Sequence, residues 1–138
     1  GGFATCIAVL LNADGSCILA SAGHPAPFLN QRELDLPGAL PLGLDLGATY
    51  QQVAIQLREG DHFSLYTDGL LEARNQSGEL YGFERLEVLF GSRPSAFQAS
   101  EEAVAFGQED DVTVLTLTRL AVGQEPVTLL NLPVLVGS

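Results

Sequence analysis

The chain has 138 residues, of which 46% are apolar and 17% are charged, so it has enough apolar sequence for one folded core and too much for a disordered chain. Its 17 acidic and 6 basic residues give a formal net charge of -11. This excess leaves no basic surface that could bind nucleic acid or contact an anionic membrane. It suits a cation site, although solubility alone also explains it.

No apolar run approaches the roughly 20 residues that cross a bilayer, and no basic region precedes an apolar one as in a signal peptide. The chain opens without Met and already inside an apolar run. We therefore expect a piece of a longer protein that is cytoplasmic, with a membrane anchor possible upstream.

Alternating apolar residues at 3–11 and 17–22 predict two strands joined by a turn at 12–15. If Asn12 pairs with Gly15 across this turn, Cys6 faces Ser21. Cys6 and Cys17 are then out of register for a disulfide, and we expect both to be free thiols in a reducing compartment.

The rest of the chain predicts further hairpins and late helices. A loop at 37–47 is expected to bury its four leucines, and the run at 112–120, apolar on both faces, is expected to be a central strand. The remaining predictions are a short hairpin at 28–29 and 33–36, strands at 52–57 and 62–67, and helices at 70–74, 82–90 and 94–107. Together they predict an α+β fold, an antiparallel sheet or sandwich flanked by helices.

Two acidic motifs lie at the ends of predicted core strands. In Tyr66-Thr67-Asp68-Gly69-Leu70, Asp68 follows a strand and could ligate a metal or cap the next helix. In Gln108-Glu109-Asp110-Asp111-Val112-Thr113, three acids precede a strand and could either share a cation or form a solvated turn. Hard cations such as Mg²⁺ and Mn²⁺ prefer carboxylate oxygens and can activate water on a phosphoryl group. We therefore predict that Asp68 and Asp110, 42 positions apart, share a metal site.

Neither histidine demands a catalytic role. His24 lies in Ser21-Ala22-Gly23-His24-Pro25, where it could form a structural turn or act as a general acid. His62 begins a predicted strand beside a turn, and we expect its side chain to be exposed or capped.

Six motifs in order resemble a family of metal-dependent phosphatases. They are Ser-Ala-Gly-His-Pro at 21–25, Pro-Leu-Gly at 41–43, Gly-Asp at 60–61, Tyr-Thr-Asp-Gly-Leu-Leu-Glu-Ala-Arg-Asn at 66–75, Gly-Glu-Leu-Tyr-Gly at 78–82 and Gly-Gln-Glu-Asp-Asp-Val-Thr at 107–113. The pattern is similar to the sporulation stage II protein E (SpoIIE) type of phosphatase domain. This type is a bacterial branch of the PPM (protein phosphatase 2C-like) superfamily. The resemblance covers roughly residues 3–120. We expect residues 1–120 to be the C-terminal part of such a domain and 121–138 to be a tail that packs on the domain or pairs at an edge.

The resemblance implies an antiparallel β-sandwich flanked by helices and hydrolysis of phosphoserine or phosphothreonine with two Mn²⁺ or Mg²⁺ ions. It assigns metal ligation to Asp68 and Asp110 and a supporting role to Asp111. The implied substrate is a phosphorylated bacterial regulatory protein, such as an anti-sigma-factor antagonist, and no residue of this chain is implied to be a catalytic acid or nucleophile.

One departure from the family pattern limits the prediction. The family's first metal motif, an Asp-Gly pair followed by a Gly-His-Gly type turn, has no match here. We therefore expect the isolated chain to be inactive, and its open sheet edges could pair with a second copy. The alternative is a non-catalytic phosphatase-like docking or scaffold module.

Overall fold

The computed structural model describes residues 1–123, which form two antiparallel sheets and a layer of helices. One sheet has the order β1-β2-β5 and the other has the order β4-β3-β6-β7. This arrangement confirms the predicted α+β class, and no helix within residues 1–123 is long and apolar enough to cross a membrane. The elements are β1 (Cys6–Leu11), β2 (Ser16–Ala22), β3 (Phe28–Leu29), β4 (Arg32–Glu33), β5 (Val53–Gln56), β6 (His62–Tyr66), α1 (Asp68–Leu71), α2 (Gly82–Gly91), α3 (Ala96–Phe106) and β7 (Val114–Thr118).

The first hairpin forms where predicted, but its register differs by one residue. Leu11 lies opposite Cys17, and the Asn12 N–H donates to the Ser16 carbonyl at 2.9 Å. Gly15 adopts a φ of 85°, which inserts a left-handed residue and makes a loop of three residues rather than two. The expectation that Asn12 pairs with Gly15 was therefore wrong, whereas both cysteines are free, as predicted.

The two sheets enclose an apolar interior. Alternation along β2 and β6 turns Cys17, Leu19 and Phe63 inward, and all three are at least 99% buried. At one end the sheets are joined directly, because the Arg119 guanidinium donates to the Leu57 carbonyl beside Gly15.

A second core lies between the four-stranded sheet and the helices. Its centre is a cluster of Phe28, Tyr66 and Phe90, with ring centroids 5.1 to 6.0 Å apart. Helix α3 presents Ala99 and Ala103 to this core, so its backbone can lie close to β7. The same helix begins at a capping box formed by Ser95 and Gln98.

Two predictions about burial were wrong. The leucines of the 37–47 loop are exposed in residues 1–123, where an antiparallel bridge between Ala4 and Leu42 ties the loop to the chain before β1. Strand β7 is not central among the described residues but lies at the edge of its sheet, with Leu115 54% exposed. The last part of the predicted tail, residues 124–138, lies outside the described residues.

His62 is also buried rather than exposed. Alternation places it on the same face of β6 as Tyr66, beneath the helices, where it is 5% exposed. Its Nδ1 lies 2.9 Å from the Thr118 hydroxyl, and its Nε2 has no hydrogen-bond partner within residues 1–123. Burial lowers the pKa of the imidazole, as does the Arg93 charge to a smaller extent, while contact with the Pro94 backbone partly opposes the shift.

Candidate metal centre

The pairing of β6 with β7 brings the two acidic motifs to the same end of one sheet. Tyr66, the last residue of β6, lies opposite Val114, the first residue of β7. One residue further on, the Thr67 N–H donates to the Thr113 carbonyl at 3.1 Å, and the Thr113 N–H donates to the Thr67 hydroxyl at 2.9 Å. Asp68 and the segment that contains Asp110 therefore extend from neighbouring strand ends.

Gly69 permits the close contact between these segments. It is buried, and a Cβ atom at this position would collide with the carbonyl of Asp111. A side chain of any size would push the acidic segment away from α1. The glycine after Asp68 is thus explained by the approach of a second backbone, not by an unusual φ.

The Asp68 carboxylate is free to bind a ligand. Thr67 is the N-cap of α1, so Asp68 does not cap the helix but is its first residue. Its side chain is exposed and accepts no hydrogen bond from residues 1–123. The alternative that Asp68 serves as a helix cap is therefore not what the structure shows.

Asp110 is exposed and held in a defined turn. One of its carboxylate oxygens accepts the Asp111 N–H at 2.8 Å, and its main-chain carbonyl accepts the Gln108 amide at 2.7 Å. The second carboxylate oxygen has no partner within residues 1–123. Asp110 thus keeps one oxygen available for ligation, while Asp111 contributes a backbone donor that orients it.

A cleft of about 250 Å³ opens between α1 and the acidic segment. It is lined by Gly69, Glu72, Arg74, Leu80, Glu109 and Asp110. No group of three or more His, Cys, Asp or Glu side chains that could hold a metal is found within residues 1–123. Asp68 and Asp110 offer the carboxylate oxygens that hard cations take, but two carboxylates do not supply the ligands that two ions need.

A backbone clamp that the sequence analysis did not identify fixes the acidic segment. The Arg74 N–H donates to the Gly107 carbonyl at 3.3 Å, and a Cβ on Gly107, whose φ is 132°, would collide with the Arg74 carbonyl. Gly107 thereby ends α3 and anchors the chain just before the acids. The sequence signal available for this contact was the position of Gly107, directly before Gln108 and the three acidic residues.

The structural interpretation of the His24 motif fits the contacts best. The Ser21 hydroxyl donates to the His24 carbonyl at 3.0 Å and lies 3.2 Å from the His24 N–H, while Nδ1 lies 3.2 Å from the Thr5 hydroxyl. This turn follows the end of β2 that is remote from Arg119, and so lies towards the end of the sandwich that holds the acids. No hydrogen bond or ion pair joins His24 to Asp68 or Asp110 among the described residues.

The phenol of Tyr66 lies beneath this site and stays protonated. Burial raises its pKa well above the ordinary value, and the charges of Glu33 and Asp68 raise it further. Its hydroxyl has no hydrogen-bond partner within residues 1–123. Tyr66 is therefore a neutral core residue that supports the loop above it.

Several solved structures share this fold. The chain superposes on the RsbU and RsbW domains of Rv1364c from Mycobacterium tuberculosis with a TM-score of 0.68 and 29% identity, over 85% of this chain and 36% of that one. The manganese-presoaked phosphatase domain of SpoIIE from Bacillus subtilis gives a TM-score of 0.64 at 21% identity, over 89% and 58%. The SiaA-PP2C domain of Pseudomonas aeruginosa gives 0.59 at 24% identity, over 76% and 47%. The chain thus spans less than two thirds of each.

No relative was found among curated protein sequences. The family model for stage II sporulation protein E, in contrast, matches residues 1–120. That match covers all the strands and helices described above as well as both acidic motifs. The chain therefore belongs to the stage II sporulation protein E (SpoIIE) family.

Proposed function

We propose that this chain contributes Asp68 and Asp110 to the metal centre of a PPM-type protein serine/threonine phosphatase. The observation that carries the proposal is the Thr67–Thr113 pair of hydrogen bonds, which holds the two acidic motifs side by side at a cleft. The substrate we propose is a phosphoserine or phosphothreonine on a bacterial regulatory protein, such as an anti-sigma-factor antagonist.

A bound Mn²⁺ or Mg²⁺ would activate a water molecule and neutralise charge on the phosphoryl group. Residues of this chain would form the binding site for this ion. Asp68 offers an unbonded carboxylate, the Asp111 N–H orients the carboxylate of Asp110, and Gly69 lets the two segments approach. This arrangement fixes the backbone of both segments and the side chain of Asp110 before a metal arrives, which limits the entropy lost on binding.

We further propose that the chain alone turns over poorly. Two carboxylates leave a pair of metal ions short of ligands, so the remaining ligands must come from outside residues 1–123. Among the described residues, β1 and β5 are the edges of one sheet and β4 and β7 the edges of the other, and pairing of such an edge with a second copy is one way to cover it. Light scattering would detect such a dimer.

Metal binding and hydrolysis can be measured together. We would titrate Mn²⁺ by calorimetry and assay p-nitrophenyl phosphate and a phosphoserine peptide, using the 138-residue chain and the natural polypeptide that contains it. In the active polypeptide, Asp68→Asn and Asp110→Asn should each lower turnover about 100-fold or more, because a metal contributes several kcal/mol to transition-state stabilisation.

Asp35→Asn is the matched control, because Asp35 is an exposed acid outside the cleft and its loss changes the net charge equally. If Asp35→Asn and Asp68→Asn have the same effect, the assignment of Asp68 is wrong. If the natural polypeptide binds Mn²⁺ yet hydrolyses neither substrate, the alternative of a non-catalytic docking module replaces the phosphatase proposal.

A further inference from the structure

Arg74 is the only positively charged residue among those described that line the cleft beside Asp110. The whole chain contains six arginines and no lysine, so basic residues are few in this sequence. The presence of one in this cleft is not explained by a high content of basic residues. Glu72, Glu109 and Asp110 line the same cleft. A single guanidinium thus stands among three carboxylates at the candidate metal centre.

This guanidinium is not neutralised by the acids around it. Its Nη1 donates to the Gly78 carbonyl at 3.0 Å, and it forms no ion pair with any carboxylate of residues 1–123. By contrast, Arg85 on the neighbouring helix pairs with Glu79 at 2.7 Å. The remaining N–H groups of Arg74 therefore stay available for another acceptor.

The backbone of Arg74 is fixed on two sides. It is clamped to Gly107, and it forms an antiparallel bridge with Leu80 across the intervening loop. That loop is ordered by Asn75, whose side-chain oxygen accepts hydrogen bonds from the N–H groups of Ser77 and Glu79. The guanidinium is thus attached to a rigid base, and only its own side chain needs to adjust to a ligand.

We propose that Arg74 binds the phosphoryl oxygens of the substrate phosphomonoester at this cleft. The inference rests on the proposed function for the identity of the phosphate, but it concerns a residue to which the metal site assigns no role. A phosphate dianion that approaches a chain of net charge -11 is repelled until a local cation compensates it. A planar guanidinium does so with two parallel hydrogen bonds, a geometry that an ammonium group does not provide.

Phosphate binding tests this assignment without requiring turnover. Inorganic phosphate is titrated calorimetrically into the Mg²⁺-saturated 138-residue chain. Arg74→Gln should weaken phosphate affinity about tenfold or more, since a charge-assisted pair contributes roughly that much. Arg74→Lys should restore part of the loss, and Mg²⁺ affinity should stay unchanged in both variants.

Two controls separate phosphate binding from loop structure. Arg32→Gln removes an exposed charge from β4, outside the cleft, and should leave phosphate affinity unaltered. Asn75→Ala loosens the same loop that Arg74 contacts but keeps the guanidinium, and should weaken phosphate binding far less than Arg74→Gln. If Asn75→Ala reproduces the full loss, Arg74 only positions the loop and the proposal is overturned.

The remaining outcomes distinguish this inference from the proposed function. Phosphate binding that depends on Arg74 in a protein without hydrolytic activity would support Arg74 and refute the phosphatase proposal. Hydrolysis by the natural polypeptide with the same KM and the same inhibition by phosphate in wild type and Arg74→Gln would refute Arg74 alone. A wild-type chain that binds no phosphate in the presence of Mg²⁺ also overturns the inference.

Discussion

The helix-covered face of the four-stranded sheet and the outer face of the three-stranded sheet carry similar apolar side chains but are covered differently. Beneath the helices, Phe28 of β3 and Tyr66 of β6 are at least 98% buried. On the outer face of the other sheet, Leu10 and Ile18 lie opposite each other and are 60% and 37% exposed. Apolar content in a strand therefore does not decide burial, because a neighbouring layer has to cover it.

The candidate metal centre lies on the sheet that the helices cover. Asp68, Gly69 and Arg74 all lie at the end of the covered sheet, where α1 continues directly from β6. The backbone on either side of Asp68 and Gly69 is held to the segment 107–113, by hydrogen bonds from Thr67 to Thr113 and from Arg74 to Gly107. The ligands thus project from the well-packed part of the chain, which is where a fixed geometry can be maintained.

Phe90→Ala is expected to have the largest effect on stability. Phe90 is fully buried and contacts both Phe28 and Tyr66, so its truncation should lower the free energy of unfolding by about 3–5 kcal/mol. Val88→Ala on the exposed side of α2 should change it by about 0.5 kcal/mol or less. Urea unfolding followed by circular dichroism measures both, and equal losses would mean that the helices do not form the cover described here.

Leu19→Ala and Leu10→Ala compare the two faces of the three-stranded sheet directly. Leu19 is 1% exposed and faces the interior, so its truncation should cost about 2–5 kcal/mol. Leu10, on the outer face, should cost less than about 1 kcal/mol. If urea unfolding gives the same loss for both variants, the outer face is covered in solution, by a second copy or by residues 124–138, and the contrast between the sheets disappears.

Gly69→Ala should disturb the four-stranded sheet at the end from which Asp68 and the segment containing Asp110 extend. The added methyl group collides with the Asp111 carbonyl, and we expect a loss of about 1–3 kcal/mol together with weaker Mn²⁺ binding. Gly38→Ala serves as the control, because nothing lies within 4 Å of a Cβ at Gly38. Calorimetric Mn²⁺ affinity that is unchanged in Gly69→Ala would show that the approach of the acidic segment to α1 does not matter for the metal.

Local pattern was sufficient for most of the elements, and it placed each acidic motif at the end of a predicted strand. Alternation predicted β1, β2, β5 and β6, and antiparallel pairing of the strands that flank Asp68 and Asp110 brings those residues to one end. Tyr66 and Val114 lie 48 positions apart, so this pairing is a long-range contact, and the sequence analysis did not predict it.

The sequence did not indicate which layer covers each face of the sheets, or which backbone segments contact each other across the fold. The leucines of the 37–47 loop and the two apolar faces of β7 indicated burial, yet which layer covers them depends on tertiary packing. The left-handed Gly15 shifted a hairpin register that its neighbours alone do not determine. The contact of Gly107 with Arg74 joins residues 33 positions apart and has no local signal beyond the glycine.

The smallest expected effect concerns His62. Its test is the most specific, because the imidazole is a polar group buried between the four-stranded sheet and the helices. Burial lowers the pKa of its imidazole below the ordinary 6.5, so the unfolded chain binds the proton more readily than the folded one. The free energy of unfolding should therefore fall as the pH drops from about 7 to about 5, and His62→Gln should flatten that slope. The loss of stability below about pH 4, where Asp14 and Asp61 with their lowered pKa values become protonated, should persist in the variant. An unchanged slope between pH 7 and 5 in His62→Gln would show that the imidazole is hydrated in solution, and that the helical layer does not seal this end of the sheet.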